Sequence, residues 1–302
     1  MSKRILPSKE ERHKHFGSVP PIKGTKPTKK EDMPDLQNTP KDFLFSIQQV
    51  GVTNVKHPIT IAADTIPSQQ TTIANITMTT ALVQERKGIN MSRLTEALHD
   101  RHQSGWTVTL ETLEDFAKEL ADRMEQPGAI VSMTFPWYFE RQSPMMEKPG
   151  LIHADVTMKA EVSNTEKTKF TVGMTAAVAT LCPCSKEISE YSAHNQRGIV
   201  TVEADLKADT GFEQDWKVTL LDAIESNASA MLYPVLKRPD EKRVTEQAYE
   251  NPRFVEDLTR LIAADLYEWD ALSRFSVECR NEESIHLHDA YAKIHVDCET
   301  NS

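Results

Sequence analysis

No window of the 302-residue sequence approaches the roughly eighteen uninterrupted apolar residues of a membrane-spanning helix, and the basic N-terminus has no apolar stretch behind it. The expectation is a chain that neither spans a membrane nor carries an export signal. Cysteine is scarce. Cys182, Cys184, Cys279 and Cys298 are too few and too unevenly spaced for a disulfide framework in a chain this long, which points to a reducing cytoplasm. Positive charge is also short: 35 Lys and Arg stand against 45 Asp and Glu, leaving −10 overall. That balance gives no electrostatic reason to bind a nucleic acid or an anionic membrane, so an anionic substrate needs a local basic pocket. What the chain does have is length, enough for a large core in two ordinary domains or one fused architecture.

Residues 1–40 are rich in Lys, Pro and polar side chains without sustained periodicity, and predict a flexible arm. Its cluster Arg12, His13, Lys14 and His15 reads as a solvated basic tail rather than a metal or phosphate patch. From residue 41 to 165 the pattern is strand, strand, helix, helix, strand, strand. "TTIANITMTTALV" alternates, with Ile76, Met78 and Leu82 on its apolar positions, and a strand around "HPITIAAD" is expected to precede it. "MSRLTEALHDRH" spaces Met91, Leu94 and Leu98 helically, and "LETLEDFAKELADRME" does so with Leu110, Leu113, Phe116, Leu120 and Met124. "AIVSMTFPWYF" and "LIHADVTMKAEV" return to strand periodicity.

Residues 166–302 repeat that order without repeating the sequence. The strands are "FTVGMTAAVATL", "GIVTVEADL", "SRFSVECR" and "AYAKIHVD", and the helices are "FEQDWKVTLLDAIESNASAML" and "NPRFVEDLTRLIAADLYEW". In the second helix Asn251 is expected to cap and Pro252 to open the first turn, with Val255, Leu258, Ile262 and Leu266 as the buried stripe. The predicted fold is α+β: two ββααββ units with an antiparallel sheet and helices on one face.

Chemistry-bearing residues concentrate in the second half. Cys182 and Cys184 flank Pro183 at a strand end, a stiff C-x-C loop too tight for a C-x-x-C zinc knuckle or redox pair. One thiolate as a single ligand stays open, and His194 follows on the same connection, able to reach back or simply to bond water. Cys279 shares parity with Phe275 and Val277 as a small core residue, and Cys298 falls in a polar tail. His286 and His288, two residues apart, face one way if extended, either to serve a metal or proton transfer or to sit idle in a wet loop. "LKRPDEKRVTE" gathers Lys237, Arg238, Lys242 and Arg243 around Asp240 and Glu241, a phosphate clamp or a plain salt-bridged loop. "RKGINMSR" adds Arg86, Lys87 and Arg93 near a helix start. Glu256 lies in the first turns of the last helix, either for the dipole or as an acceptor for a guanine-like ring.

Taken together, "CPCSKEIS", "HNQRG", "LKRPDEKRVTEQAYENPRFVEDL" and "ESIHLHDAYA" resemble the GTP cyclohydrolase type IB family across about residues 40 to 298. The resemblance implies a bimodular tunnelling fold assembling into a multimeric barrel, and a homo-oligomer, dimer or tetramer, with sites at subunit interfaces. It implies a divalent ion, zinc or manganese, on Cys182, His194 and Glu241, with Glu256 anchoring the guanine ring of GTP and His286 moving protons. Cys182, Glu256 and His286 are then the catalytic set, Lys237, Arg238 and Lys242 offset triphosphate charge, and Cys184 and His288 rival the ligands. The family strings "NFESIH" and "GIHMSR" stand here as "NEESIH" and "GINMSR", so Glu282 and Asn90 depart from them. The implied reaction converts GTP and water to 7,8-dihydroneopterin triphosphate and formate in tetrahydrofolate biosynthesis. Two other readings compete: a deazaguanine nitrile reductase of the same superfamily, whose lysine-containing motif is absent here, and a non-enzymatic structural zinc protein.

Overall fold

The computed structural model describes residues 6–37, 39–208 and 215–299. One sheet organises everything. In chain order its strands are β1 (Ile47–Ala62), β2 (Gln69–Leu82), β3 (Thr107–Val108), β4 (Gly128–Gln142), β5 (Pro149–Ser163), β6 (Lys169–Leu181), β7 (Asn195–Leu206), β8 (Leu272–Glu282) and β9 (Ala290–Asp297). Their spatial order is β3-β1-β2-β4-β5-β6-β7-β8-β9. Every pairing is antiparallel except the two-residue contact of β3 with β1. β5 pairs directly with β6, from Asp155↔Thr175 to Glu161↔Lys169, so the sheet is continuous across the 165/166 boundary.

The helices are α1 (Lys9–His15), α2 (Ser92–Gln103), α3 (Leu110–Met124), α4 (Pro183–Ile188), α5 (Trp216–Ser226), α6 (Arg238–Glu250) and α7 (Val255–Tyr267). Strand residues of one parity, such as Ile76, Met133, Met158, Val172 and Val202, are buried in a single core with the inward residues of α2, α3, α5 and α7. α3 contributes Leu113, Phe116, Leu120 and Met124, each stabilising the fold by about 1.5–3 kcal/mol through burial. The opposite parity carries Thr77, Thr134, Thr157, Thr175 and Thr201, whose hydroxyls bond across strands (Thr134 to Thr157 and Thr175 to Thr201, both 3.0 Å). Helices therefore cover one face, and the other is polar.

Several expectations shift. The arm forms the short helix α1, whose Ser8 and Glu11 exchange capping bonds, although every described residue from Leu6 to Gln37 is exposed. The C-x-C segment is the start of α4 rather than a loop. The basic island is helix α6. Asn251 closes α6, its side-chain amide donating to the Gln247 carbonyl at 2.8 Å, and Phe254 precedes α7. α5 ends at Ser226, because the chain beyond it turns back so that Ala230 bridges to Ala179 of β6. Positions 212–214 of the expected α5 lie outside the described residues. Cys298 is half-buried against the core, with its backbone N–H on the Ser273 carbonyl, rather than in a free tail. Among the described residues no helix is long and apolar enough to cross a membrane.

Candidate active site

Antiparallel register gathers the site. β6 ends at Leu181 and β7 begins at Asn195, so the connection carrying Cys182 and His194 leaves one end of the sheet. β8 runs against β7 with Arg197 opposite Glu282, which delivers the β8–β9 connection, residues 283–289, to the same end. The α6–α7 link joins them, since the Arg253 N–H donates to the Leu181 carbonyl at 3.0 Å.

Cys182 caps α4, with Pro183 in the first turn where its missing N–H costs nothing. Its Sγ accepts one long bond from the Ser185 N–H at 3.4 Å, and its own N–H donates to the His194 carbonyl at 3.2 Å. Ser185 ties the two further: its hydroxyl donates to the Cys182 carbonyl at 3.1 Å and accepts from the His194 N–H at 3.2 Å. The half-buried His194 ring places Nδ1 3.2 Å from the Ser284 hydroxyl and 3.9 Å from the Glu283 carboxylate. A second-sphere partner at Nδ1 fixes the ring and leaves Nε2 as the outward donor atom.

The remaining predicted residues are distributed around this pair. Glu241 is exposed on the first turn of α6, and Glu256 is exposed on the first turn of α7. His286 and His288 lie on the β8–β9 connection, exposed, with their rings stacked at 5.1 Å. Cys184 is exposed on α4. Lys237, Arg238 and Lys242 are exposed at the start of α6, Lys242 already paired with Glu246.

Asp240 has a different job from its neighbours. It is fully buried and accepts from the backbone N–H groups of Met145 (2.8 Å), Met146 (2.9 Å) and Lys237 (2.9 Å). Burial opposes its charge, but these N–H groups, helped by the Ser143 hydroxyl, win and hold the carboxyl below its usual range. Asp240 thus pins the start of α6 to the β4–β5 turn and is spent as a ligand. Beneath the site, Thr180 and Asn281 on β6 and β8 are buried, and their side-chain polar atoms have no protein partner.

Residues 33–292 match the family model for Type I GTP cyclohydrolase folE2. The sequence is 60% identical over 290 residues to "GTP cyclohydrolase FolE2" of Bacillus subtilis, covering 96% of this chain and 95% of that protein. It is 59% identical over 294 residues to the protein of that name from Halalkalibacterium halodurans, covering 97% and 98%. The chain belongs to the FolE2 family of GTP cyclohydrolases. Among solved structures, uricase from Arthrobacter globiformis superposes with a TM-score of 0.50 at 10% identity, over 85% of this chain and 95% of that one. At that identity the likeness speaks only for the fold, which is of the tunnelling type.

FolE2 membership makes the chain a metal-dependent hydrolase, and the donor set fits a divalent ion. A cysteine sulfur with only one weak hydrogen bond, an imidazole oriented through its other nitrogen, and the Glu283 carboxylate beside that imidazole are a mixed donor set of the kind that suits a divalent ion. Among the described residues, no three Cys, His, Asp or Glu side chains yet converge on a common ion position. Cys182 and His194 are brought together through Ser185, whereas among the described residues no hydrogen bond or ion pair joins Glu241 to them. Glu283 was missed by sequence reasoning, which followed the two histidines of "ESIHLH" and passed over the acid three positions before the first. The register of β8 on β7 is what sets it beside His194.

Proposed function

We propose that this FolE2 chain converts GTP and water to 7,8-dihydroneopterin triphosphate and formate, the entry reaction of tetrahydrofolate biosynthesis, in the cytoplasm. The observation that carries the reading is the family match over residues 33–292, which includes every segment that meets at the Cys182–His194 end. In the proposed site, Cys182, His194 and Glu241 hold the divalent ion. When bound, zinc or manganese supplies Lewis acidity for hydrolytic opening of the guanine imidazole ring.

The chain's own groups do the rest. Glu256, acceptor-only when ionised, takes the paired N–H donors of the guanine edge and orients C8 toward the thiolate end. His286 gives a proton to N7 as one water adds at C8 and the ring opens to a formamide, and takes a proton back as a second water cleaves that formamide and C8 leaves as formate. An imidazole can both donate and accept a proton, as the two steps require. His288, stacked on it, holds the ring's plane. Lys237, Arg238 and Lys242 draw the triphosphate by charge; because Asp240 has taken the Lys237 N–H, these side chains rather than the helix terminus do the work. Rearrangement of the ribose and closure with loss of water complete the pterin.

At the level of assembly, we read the chain as two ββααββ modules, β1 to β5 and β6 to β9. Their sheets close into a barrel only in a homo-oligomer, with residues 1–40 as an arm outside both modules. The two ends of the nine-stranded order support this, β9 at one and, at the other, β1 covered only at Thr60 and Ile61 by the two-residue β3, because an open edge is a surface that seeks a partner strand.

The test is to strip the protein with chelator, restore Mn²⁺ or Zn²⁺ separately, and follow formate together with the fluorescent pterin formed on oxidation. Metal-dependent release of both, abolished in Cys182→Ala, is the expected result. Absence of turnover with either ion in folded, metal-loaded protein would overturn the assignment.

A further inference from the structure

α4 is six residues long and buries nothing, yet it carries the thiol on which the site depends. A helix this short has no intrinsic stability, so its orientation must come from tethers. Three are visible. At its start, Ser185 bonds it to the Cys182 carbonyl and to the His194 N–H. Before it, Arg253 bonds the Leu181 carbonyl through its backbone and the Asn227 carbonyl through Nε at 3.1 Å. The third tether reaches across to α6. The Lys186 ammonium donates to the Tyr249 carbonyl at 2.6 Å and lies 4.1 Å from the centroid of the Tyr249 ring. Tyr249 is in the last turn of α6, where unpaired carbonyls and the negative end of the helix dipole favour a cation. The ring adds a second attraction for the same charge.

α6 is itself fixed at its other end by Asp240 and the β4–β5 turn. It is therefore a rod held at both ends, with Glu241 on its first turn and the Lys186 latch on its last. From this geometry we propose that Lys186 is a positioning residue. It sets α4 against α6, so that the Cys182–His194 limb of the metal site keeps a fixed relation to the Glu241 limb. Its charge is directed to α6 rather than to the substrate phosphates, although Lys186 sits two residues from Cys184 in a region otherwise rich in candidate phosphate ligands. The inference rests on the metal-site reading above and goes beyond it, since it assigns a lysine a role in metal affinity instead of in anion binding.

The experiment uses full-length apo-protein titrated with Co²⁺, whose thiolate-to-metal absorption band reports Cys182 as a ligand independently of turnover. Lys186→Met keeps the aliphatic stem and removes the charge; Lys186→Arg keeps charge and ring contact. The expectation for Lys186→Met is a roughly 10- to 100-fold loss of Co²⁺ affinity, the range typical of second-sphere changes. Its thiolate band shifts or weakens, kcat falls, and KM for GTP stays within about twofold of wild type. Lys186→Arg recovers most of the affinity and the band, and Tyr249→Phe, which keeps both the carbonyl and the ring, matches wild type.

Two results would overturn the proposal. One is a large rise in KM with Co²⁺ affinity and band unchanged, which makes Lys186 a phosphate ligand. The other is a Lys186→Met protein equal to wild type in every measurement. Failure of the underlying metal assignment looks different, because the wild-type protein then shows no thiolate band at all.

Discussion

Arg141 of β4 and Glu225 of α5 make a bidentate pair between the two halves of the chain, Nη1 to Oε1 at 2.7 Å with Nη2 on Oε2. Their side chains are only 12% and 7% exposed. Arg141 also donates to the Leu232 carbonyl at 2.9 Å and lies over the rings of Phe139 and Tyr233. The two ends of the pair respond differently to loss of a partner. In Glu225→Ala the guanidinium cannot shed its proton and stays charged and buried, so stability should drop by about 3–5 kcal/mol at any pH near neutral. In Arg141→Met the carboxyl can escape by protonation. Burial already pushes Glu225 above its usual range against the pull of Arg141, and removing Arg141 raises it further. A raised native pKa means the native state holds the proton more tightly, so the deficit of Arg141→Met grows as pH rises through that value and shrinks toward acid. The double variant Arg141→Met/Glu225→Leu leaves no buried charge and should return to within about 1 kcal/mol of wild type or exceed it. Urea unfolding between pH 5 and 8 measures all three. A Glu225→Ala loss below about 0.5 kcal/mol, the scale of an exposed pair, or a double variant losing the sum of the singles, would refute the reasoning.

Other consequences follow from single groups. His57 on β1 has its pKa lowered by burial and then by His102 and His99, and its ring meets His102 edge-on at 4.9 Å. The unfolded chain therefore binds that proton more tightly, so stability is lost as pH falls below the ordinary value of 6.5 toward the native one. His57→Gln should flatten the acid limb of a stability-versus-pH curve, and an unchanged limb would contradict the assignment. Burial pushes the Cys279 thiol up to about 11; native protein at pH 8 should alkylate at exposed Cys184 and spare Cys279, as read by peptide mass. Stability from the Cys279 thiol is present below the unfolded thiol value and disappears as pH climbs toward 11. Glu283→Gln, changing the carboxylate beside His194, should weaken Mn²⁺ binding roughly tenfold or more in a calorimetric titration, and wild-type affinity would remove Glu283 from the site.

Most of the sheet was legible because its strands alternate cleanly. Ile76, Met78, Val156, Met158, Phe275 and Val277 fall on the buried parity and are all buried. α2, α3 and α7 announced themselves by apolar stripes, with Met91 as the exception, exposed just ahead of α2. α6 hid for the opposite reason. It buries only Asp240 and Ala248, so no stripe exists, and the readable cue was Pro239 in its first turn followed by an acid that could cap. Asn251 suits the end of one helix as well as the start of the next, and local sequence does not choose between them. Motifs placed Cys182 and His194 on one connection, whereas Glu283 and the Lys186 latch depend on strand register and on the packing of α4 against α6. Those are tertiary facts that no local pattern contains.

The central claim is chemical, and GTP labelled at C8 with ¹³C tests it most directly. With metal-loaded protein, the label should leave the nucleotide and appear as formate, one equivalent for each 7,8-dihydroneopterin triphosphate formed. Label retained in a nucleotide product, or no loss of label from folded, metal-loaded protein, would contradict the account.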